Sequence, residues 1–159
     1  MEHSKTDFFD HIRNGDLDKI KKAILASPEY LSLLDERGST PLILASYYGQ
    51  EDVVDLLLEK GVGLDVKDTS GNSALLGVCF KGYIKIAKKL IEKGANINHR
   101  NATGATALIY AVTFNKVEIA ELLLANGADT SIQDARGNTA LDHARIQGNP
   151  TLINLLEIK

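Results

Sequence analysis

One glycine column constrains this chain more than any other feature. Gly38, Gly71, Gly104 and Gly137 are spaced by 33 residues (71 − 38, 104 − 71, 137 − 104). Gly61, Gly94 and Gly127 keep the same interval, as do Leu42, Leu75, Leu108 and Leu141. A third column runs Gly49, Gly82, Asn115, Gly148, with Asn once in place of Gly. Several columns sharing one period mark a repeat architecture, in which one supersecondary unit is copied along the chain and stacked on itself.

Each period can be read locally. It opens on a turn: DERGSTPL at 35–42, DTSGNSAL at 68–75, NATGATAL at 101–108 and DARGNTAL at 134–141. Glycine tolerates the positive φ such a turn requires. Thr40, Ser73, Thr106 and Thr139 stand where a hydroxyl can N-cap a helix. Pro41 follows at the first helical position, where its missing N–H is no loss. Short apolar stretches come next (LILAS, LLGVC, LIYAV, LDHAR), and Gly49, Gly82, Asn115 and Gly148 end them in the manner of helix C-termini. A second helix then shows an apolar face at helical spacing: Val53, Val54, Leu57 and Leu58 in one unit, Ile86, Ala87, Leu90 and Ile91 in the next, Ile119, Ala120, Leu123 and Leu124 in a third.

This turn, helix pair and period resemble the ankyrin repeat. The resemblance is carried by Gly38-Ser39-Thr40-Pro41-Leu42 and by Leu123-Leu124-Ala125-Asn126-Gly127-Ala128-Asp129. It implies an all-α solenoid of stacked helix-turn-helix units joined by β-turn or hairpin loops, one domain over 1–159. Its units would be an N-terminal cap at 1–34, internal repeats at 35–67, 68–100 and 101–133, and a C-terminal cap at 134–159. FFDHIRNGDLDKIKKAI (8–24) looks like the opening unit. Lys19, Lys21 and Lys22 at one end, with Asn149, Thr151 and Asn154 at the other, are expected to give the stack polar ends.

The chain also departs from the family pattern. The usual His after Pro-Leu is replaced by Ile43, Leu76, Ile109 and Asp142, so looser turns are expected. Ala74, Ala107 and Ala140 stand where Pro41 stands. Residues 25–34 (LASPEYLSLL) make an irregular first junction. Gly77 lies inside a first helix, where it would cost about 1 kcal/mol against Ala; the expectation is that it leaves room for the Tyr110 ring one repeat on.

In ankyrin stacks the turns and the exposed face of the first helices line a concave groove, so the resemblance implies a protein-binding surface there. The residues just before each helix-ending Gly or Asn would face it: Arg13-Asn14, Tyr47-Tyr48, Phe80-Lys81, Thr113-Phe114 and Ile146-Gln147. Four aromatics fall on that stripe in a chain with only five Tyr and four Phe. Aromatics are over-represented among interface hot spots. The candidate partner-binding residues are therefore Tyr47, Tyr48, Phe80, Lys81, Thr113, Phe114 and Ile146, with Arg37 and Arg100 at the turn tips.

Other chemistries find little support. Asp142 and His143 are adjacent on a helix and point about 100° apart, which is poor geometry for a catalytic dyad. His3, His11, His99 and His143 lack metal-ligand spacing, so no metal and no cofactor is expected. Cys79 reads as a small core residue, and as a lone cysteine it forms no internal disulfide. The Lys81–Lys93 cluster faces Glu51, Asp52, Asp55 and Glu59 on the unit beside it, as in a self-compensating solvated surface. Lys and Arg total 18 against 21 Asp and Glu, a net charge of −3, which argues against a general nucleic-acid binder. No apolar run suits a membrane helix, and Met1 to Asp10 lacks the apolar core of a secretory signal.

The sequence therefore reads as a non-enzymatic adaptor or regulator that binds a partner protein, expected to be cytoplasmic and monomeric. A narrower resemblance, carried by GNSALLGVCFKGY (71–83), is to short bacterial ankyrin proteins sometimes encoded beside catalases. It implies an alternative role as accessory factor to a haem enzyme that removes peroxide.

Overall fold

A computed structural model describes residues 4–157. Their elements are α1 (Lys5–Asn14), α2 (Leu17–Ala26), a 3₁₀ turn (Pro28–Ser32), α3 (Pro41–Tyr47), α4 (Glu51–Glu59), α5 (Ala74–Lys81), α6 (Ile84–Glu92), α7 (Ala107–Thr113), α8 (Val117–Ala125), α9 (Ala140–Gln147) and α10 (Pro150–Glu157). No strand occurs among the described residues. The helices form five consecutive pairs, and the first helices α1, α3, α5, α7 and α9 stack in that order. The second helices α4, α6, α8 and α10 make a parallel outer layer.

The caps fall where the sequence places them. The side-chain oxygens of Thr40, Ser73, Thr106 and Thr139 accept the N–H groups of Ile43, Leu76, Ile109 and Asp142. Asn115 ends its helix at φ 57°, the left-handed conformation that Gly148 adopts at φ 67° in the next unit. Asparagine is the residue best able to replace glycine there. The apolar sides of both layers meet in one continuous core containing Phe8, Ile20, Leu42, Leu57, Leu75, Leu90, Leu108, Ile119, Leu123 and Leu152. Cys79 belongs to that core, is fully buried, and has its thiol pKa pushed far up by desolvation. Ser46 is also fully buried, and its hydroxyl has no hydrogen-bond partner among the described residues.

The turns are held without the family's usual His. Asp35 Oδ1 accepts from the N–H of Arg37 and Ser39, each at 2.9 Å. Asp68, Asn101 and Asp134 repeat the arrangement with their own following residues. Consecutive turns are also joined by backbone bonds: Thr69 N–H to Arg37 O (3.1 Å), Ala102 N–H to Ser70 O (3.1 Å) and Ala135 N–H to Thr103 O (2.9 Å). Each unit thus fixes its own turn and passes a hydrogen bond to the next, a nearest-neighbour arrangement proper to solenoids.

The first junction is irregular, as its sequence indicates. The 3₁₀ turn at Pro28–Ser32 brings the Tyr30 ring to 5.0 Å from Phe8, closing the open end of the core. At the polar ends, Lys19, Lys21, Lys22, Thr151 and Asn154 are exposed. Asn149 differs: its amide donates to Asn115 Oδ1 (3.1 Å) and its own Oδ1 accepts from Leu152 N–H (3.2 Å).

Candidate functional site

The first helices and turns curve around a hollow of about 980 Å³. Its floor is aromatic because Tyr47, Tyr48, Phe80 and Phe114 stand at the C-terminal ends of the first helices and are partly exposed there. The rings touch in series across three units. Tyr48 lies 5.8 Å from Tyr47, Tyr47 stacks parallel to Phe80 at 6.5 Å, Phe80 meets Phe114 edge-on at 4.6 Å, and Phe114 meets Tyr110 at 5.9 Å. Tyr47, Tyr48, Phe80 and Phe114 remain 39%, 46%, 37% and 41% exposed. They pack on one another and face solvent together, which makes a contiguous apolar patch of the kind found at interaction sites.

The other candidate residues are dispersed. Arg37 lines the hollow at the unit 35–67 turn. Lys81 stands outside the lining, its Nζ 4.9 Å from the Tyr47 ring centre and 5.8 Å from that of Tyr83, within cation–π range. Thr113 turns back to its own helix, donating to Ile109 O at 2.7 Å. Ile146 is 71% exposed but is not part of the lining. Arg100 bridges two turns, donating from Nε to Gly104 O (3.1 Å) and from Nη2 to Gln133 O (2.8 Å). Gln147 likewise stitches neighbouring units through Thr113 O (2.8 Å). The exposed aromatic surface is thus concentrated in the three units from 35 to 133 and does not run the length of the stack.

Residues outside the expected stripe also line the hollow. Tyr110 forms one wall, its hydroxyl accepting from Asn101 Nδ2 (2.8 Å) and donating to Asn72 Oδ1 (3.4 Å). Phe9 and the turn residues Asp35, Asp68 and Asn72 belong to the lining as well. Gly77 opens the middle of it, and here the expected packing is corrected. A Cβ on Gly77 would meet only the Tyr47 Cδ1, at 3.8 Å, so the glycine does not make room for Tyr110. The Tyr110 ring is held instead by its hydroxyl at Asn101 and Asn72 and by Phe114.

Asp142 and His143 do not pair with each other. Asp142 Oδ2 accepts from Thr139 N–H (2.9 Å) in a capping box, and these bonds hold its carboxyl below the ordinary range. His143 reaches back to its own turn, with Nε2 2.7 Å from Asp134 Oδ2. Burial alone would raise the Asp134 pKa. The N–H of Asn138, the His143 side chain and the N–H of Arg136 outweigh it and leave the carboxyl below its ordinary value. Both residues are therefore spent on structure. On the outer face, Lys89 Nζ bridges Asp55 Oδ1 (2.7 Å) and Glu51 Oε1 (2.9 Å) across the unit boundary, and those bonds raise its pKa. His3 lies outside the described residues. No helix among the described residues is long and apolar enough to cross a membrane.

A stack of helix pairs with turn-to-turn hydrogen bonds and a concave aromatic face defines a helical repeat protein of the interaction class. A family model described as ankyrin repeats in three copies matches residues 8–101 and again 78–158. The chain belongs to the ankyrin-repeat family, whose members are generally protein–protein interaction modules.

Proposed function

We propose that this chain is a protein-binding adaptor or regulator, without catalysis of its own, whose partner lies along the aromatic hollow. The observation that carries the reading is the run of touching rings, Tyr48–Tyr47–Phe80–Phe114–Tyr110. Four of them stay more than a third exposed, a contiguous apolar area left in water on one face of the stack. Covering those rings releases hydration water at little entropic cost, because aromatic side chains have few rotors. Arg37, Lys81 and Ile146 fit the rim of the same interface, where polar and isolated apolar groups contribute less. We take the free chain to be a monomer, since a partner requires the hollow uncovered. Support of a catalase is one instance of this reading, and the chemistry of the hollow does not single it out.

The test compares capture from source-cell lysate by the wild type and by a variant with Tyr47, Tyr48, Phe80 and Phe114 all replaced by Ala, after circular dichroism confirms both are folded. Loss of even one hot-spot ring weakens binding by about 2 kcal/mol, roughly 30-fold. A protein captured by the wild type and lost with the variant supports the reading. Equal capture refutes it and turns attention to the turn tips or the outer Lys face.

A further inference from the structure

The acidic turn residues of this stack are not equivalent. Asp134 has a side-chain partner from its own unit, His143 Nε2 at 2.7 Å. Asp35 has one from the preceding unit, Arg13 Nη2 at 3.9 Å. In the third repeat the turn residue is the uncharged Asn101, whose Nδ2 donates to Tyr110 and to Asn72. Asp68 alone among the acidic turn residues at this position has no Arg, Lys or His side chain against it among the described residues. Its Oδ1 accepts from Ser70 and Asn72 N–H, each at 2.9 Å, which leaves Oδ2 without an intramolecular partner there.

The reason lies nine residues further on. Tyr110 and His143 each stand nine residues after their turn residue (110 − 101, 143 − 134) and reach back to it. The equivalent of these side chains after Asp68 is Gly77 (77 − 68), which has none. The place a tethering side chain would take is an open slot in the hollow. Tyr47 bounds it on one side, and Asp68, Tyr110 and Phe80 belong to the same lining.

We propose, resting on the groove reading above, that this slot receives one basic side chain, Arg or Lys, from the bound protein. The cation pairs with Asp68, in the place from which the His143 ring reaches Asp134 in the last unit, and its stem lies against the Tyr47, Phe80 and Tyr110 rings. Charge-assisted hydrogen bonds and cation–π contact act together in such a place. The positive charges of the lining do not compete for Asp68. Arg13 is held by Asp10 at 2.9 Å and faces Asp35, and no ion pair joins Lys5 or Arg37 to Asp68.

The experiment selects binders to the whole chain from a random peptide library. The selected peptides are then measured against wild type, Asp68→Asn, Gly77→Leu and the four-aromatic Ala variant. Asp68→Asn keeps the oxygen that accepts the turn N–H groups, and Gly77→Leu copies the Leu44 of the preceding unit, so both are expected to fold; thermal melts verify it. The expected result is peptides sharing one Arg or Lys whose replacement by norleucine weakens binding to wild type about tenfold. The same replacement changes binding to Asp68→Asn by about twofold or less, and Gly77→Leu weakens the parent peptide. Peptides that need the four aromatics but share no basic residue, or lose equally on Asp68→Asn, overturn this inference and leave the groove reading standing. A selection yielding only peptides that bind the four-aromatic variant as tightly as wild type overturns the groove reading itself.

Discussion

Two glycines six positions apart should respond oppositely to the same substitution. Gly77 sits inside α5 with ordinary helical backbone, and a Cβ there meets nothing closer than Tyr47 Cδ1 at 3.8 Å, a normal van der Waals contact. Gly77→Ala therefore gains the helix-propensity difference, about 0.8–1.0 kcal/mol, with no steric penalty. For a chain of 159 residues the unfolding entropy is on the order of 0.3 kcal/mol per kelvin, so Tm rises by about 3 °C. Gly71 is the converse case. Its φ is +77°, and a Cβ would stand 2.8 Å from the backbone nitrogen of Ala102, whose N–H makes the turn-to-turn bond to Ser70 O. Left-handed backbone costs an alanine roughly 1–2 kcal/mol before any displacement of that bond. Gly71→Ala should therefore lower Tm by about 3–6 °C, and by more where the bond is displaced. Thermal and urea unfolding followed by circular dichroism measures both. A fall in Tm for Gly77→Ala would mean that its helix needs the bare backbone after all, and a neutral Gly71→Ala would mean that the turns are not rigidly coupled.

Further outcomes follow from single side chains. The Asp134 carboxyl is held below its ordinary value in the folded chain, so its contribution is present above the unfolded pKa of about 4 and is lost as pH falls through the folded value. In urea unfolding from pH 7 to pH 2.5, wild type should lose its advantage over Asp134→Asn only below about pH 4; a difference that stays constant across that range contradicts the assignment. Lys89→Met removes both outer-face ion pairs and should cost about 1 kcal/mol or less, with the loss shrinking at high salt. Ser46→Ala removes a buried hydroxyl without a partner and should leave stability unchanged or raise it by about 1 kcal/mol; a clear loss would reveal a partner for that hydroxyl. Cys79 should resist thiol reagents in the native state and react only as denaturant opens the core.

What could be read in advance was set by the period. Gly71 and its repeats announce the turn because positive φ is a backbone demand that few residues meet, and Thr40, Ser73, Thr106 and Thr139 announce helix starts because capping depends on local chemistry alone. Tyr47, Tyr48, Phe80 and Phe114 could be placed on one surface because they occupy two adjacent points of the repeat, 47 with 80 and 48 with 114. Which of them share a hollow was not legible, since curvature arises from small rotations between whole units. Arg100 and Thr113 look free in the sequence yet bond to backbone carbonyls, and carbonyls leave no mark in a sequence. The roles of Tyr110 and His143 were available as a signal. The column nine residues after the turn reads Leu44, Gly77, Tyr110, His143, and only the last two can reach a turn side chain. Comparing that column with Asp35, Asp68, Asn101 and Asp134 leaves Asp35 and Asp68 without a tether from their own units, and the Arg13 contact seen in the structure then sets Asp35 apart.

The most direct measurement is photo-crosslinking in the source cells with a benzoylphenylalanine placed at Phe80, in the hollow, or at Leu25, which is 85% exposed on α2. A single partner crosslinked from position 80 and not from position 25 is the result expected of a groove binder. The same partner crosslinked from position 25 and not from position 80 would place the interface on the outer helices and contradict the aromatic hollow as the binding surface.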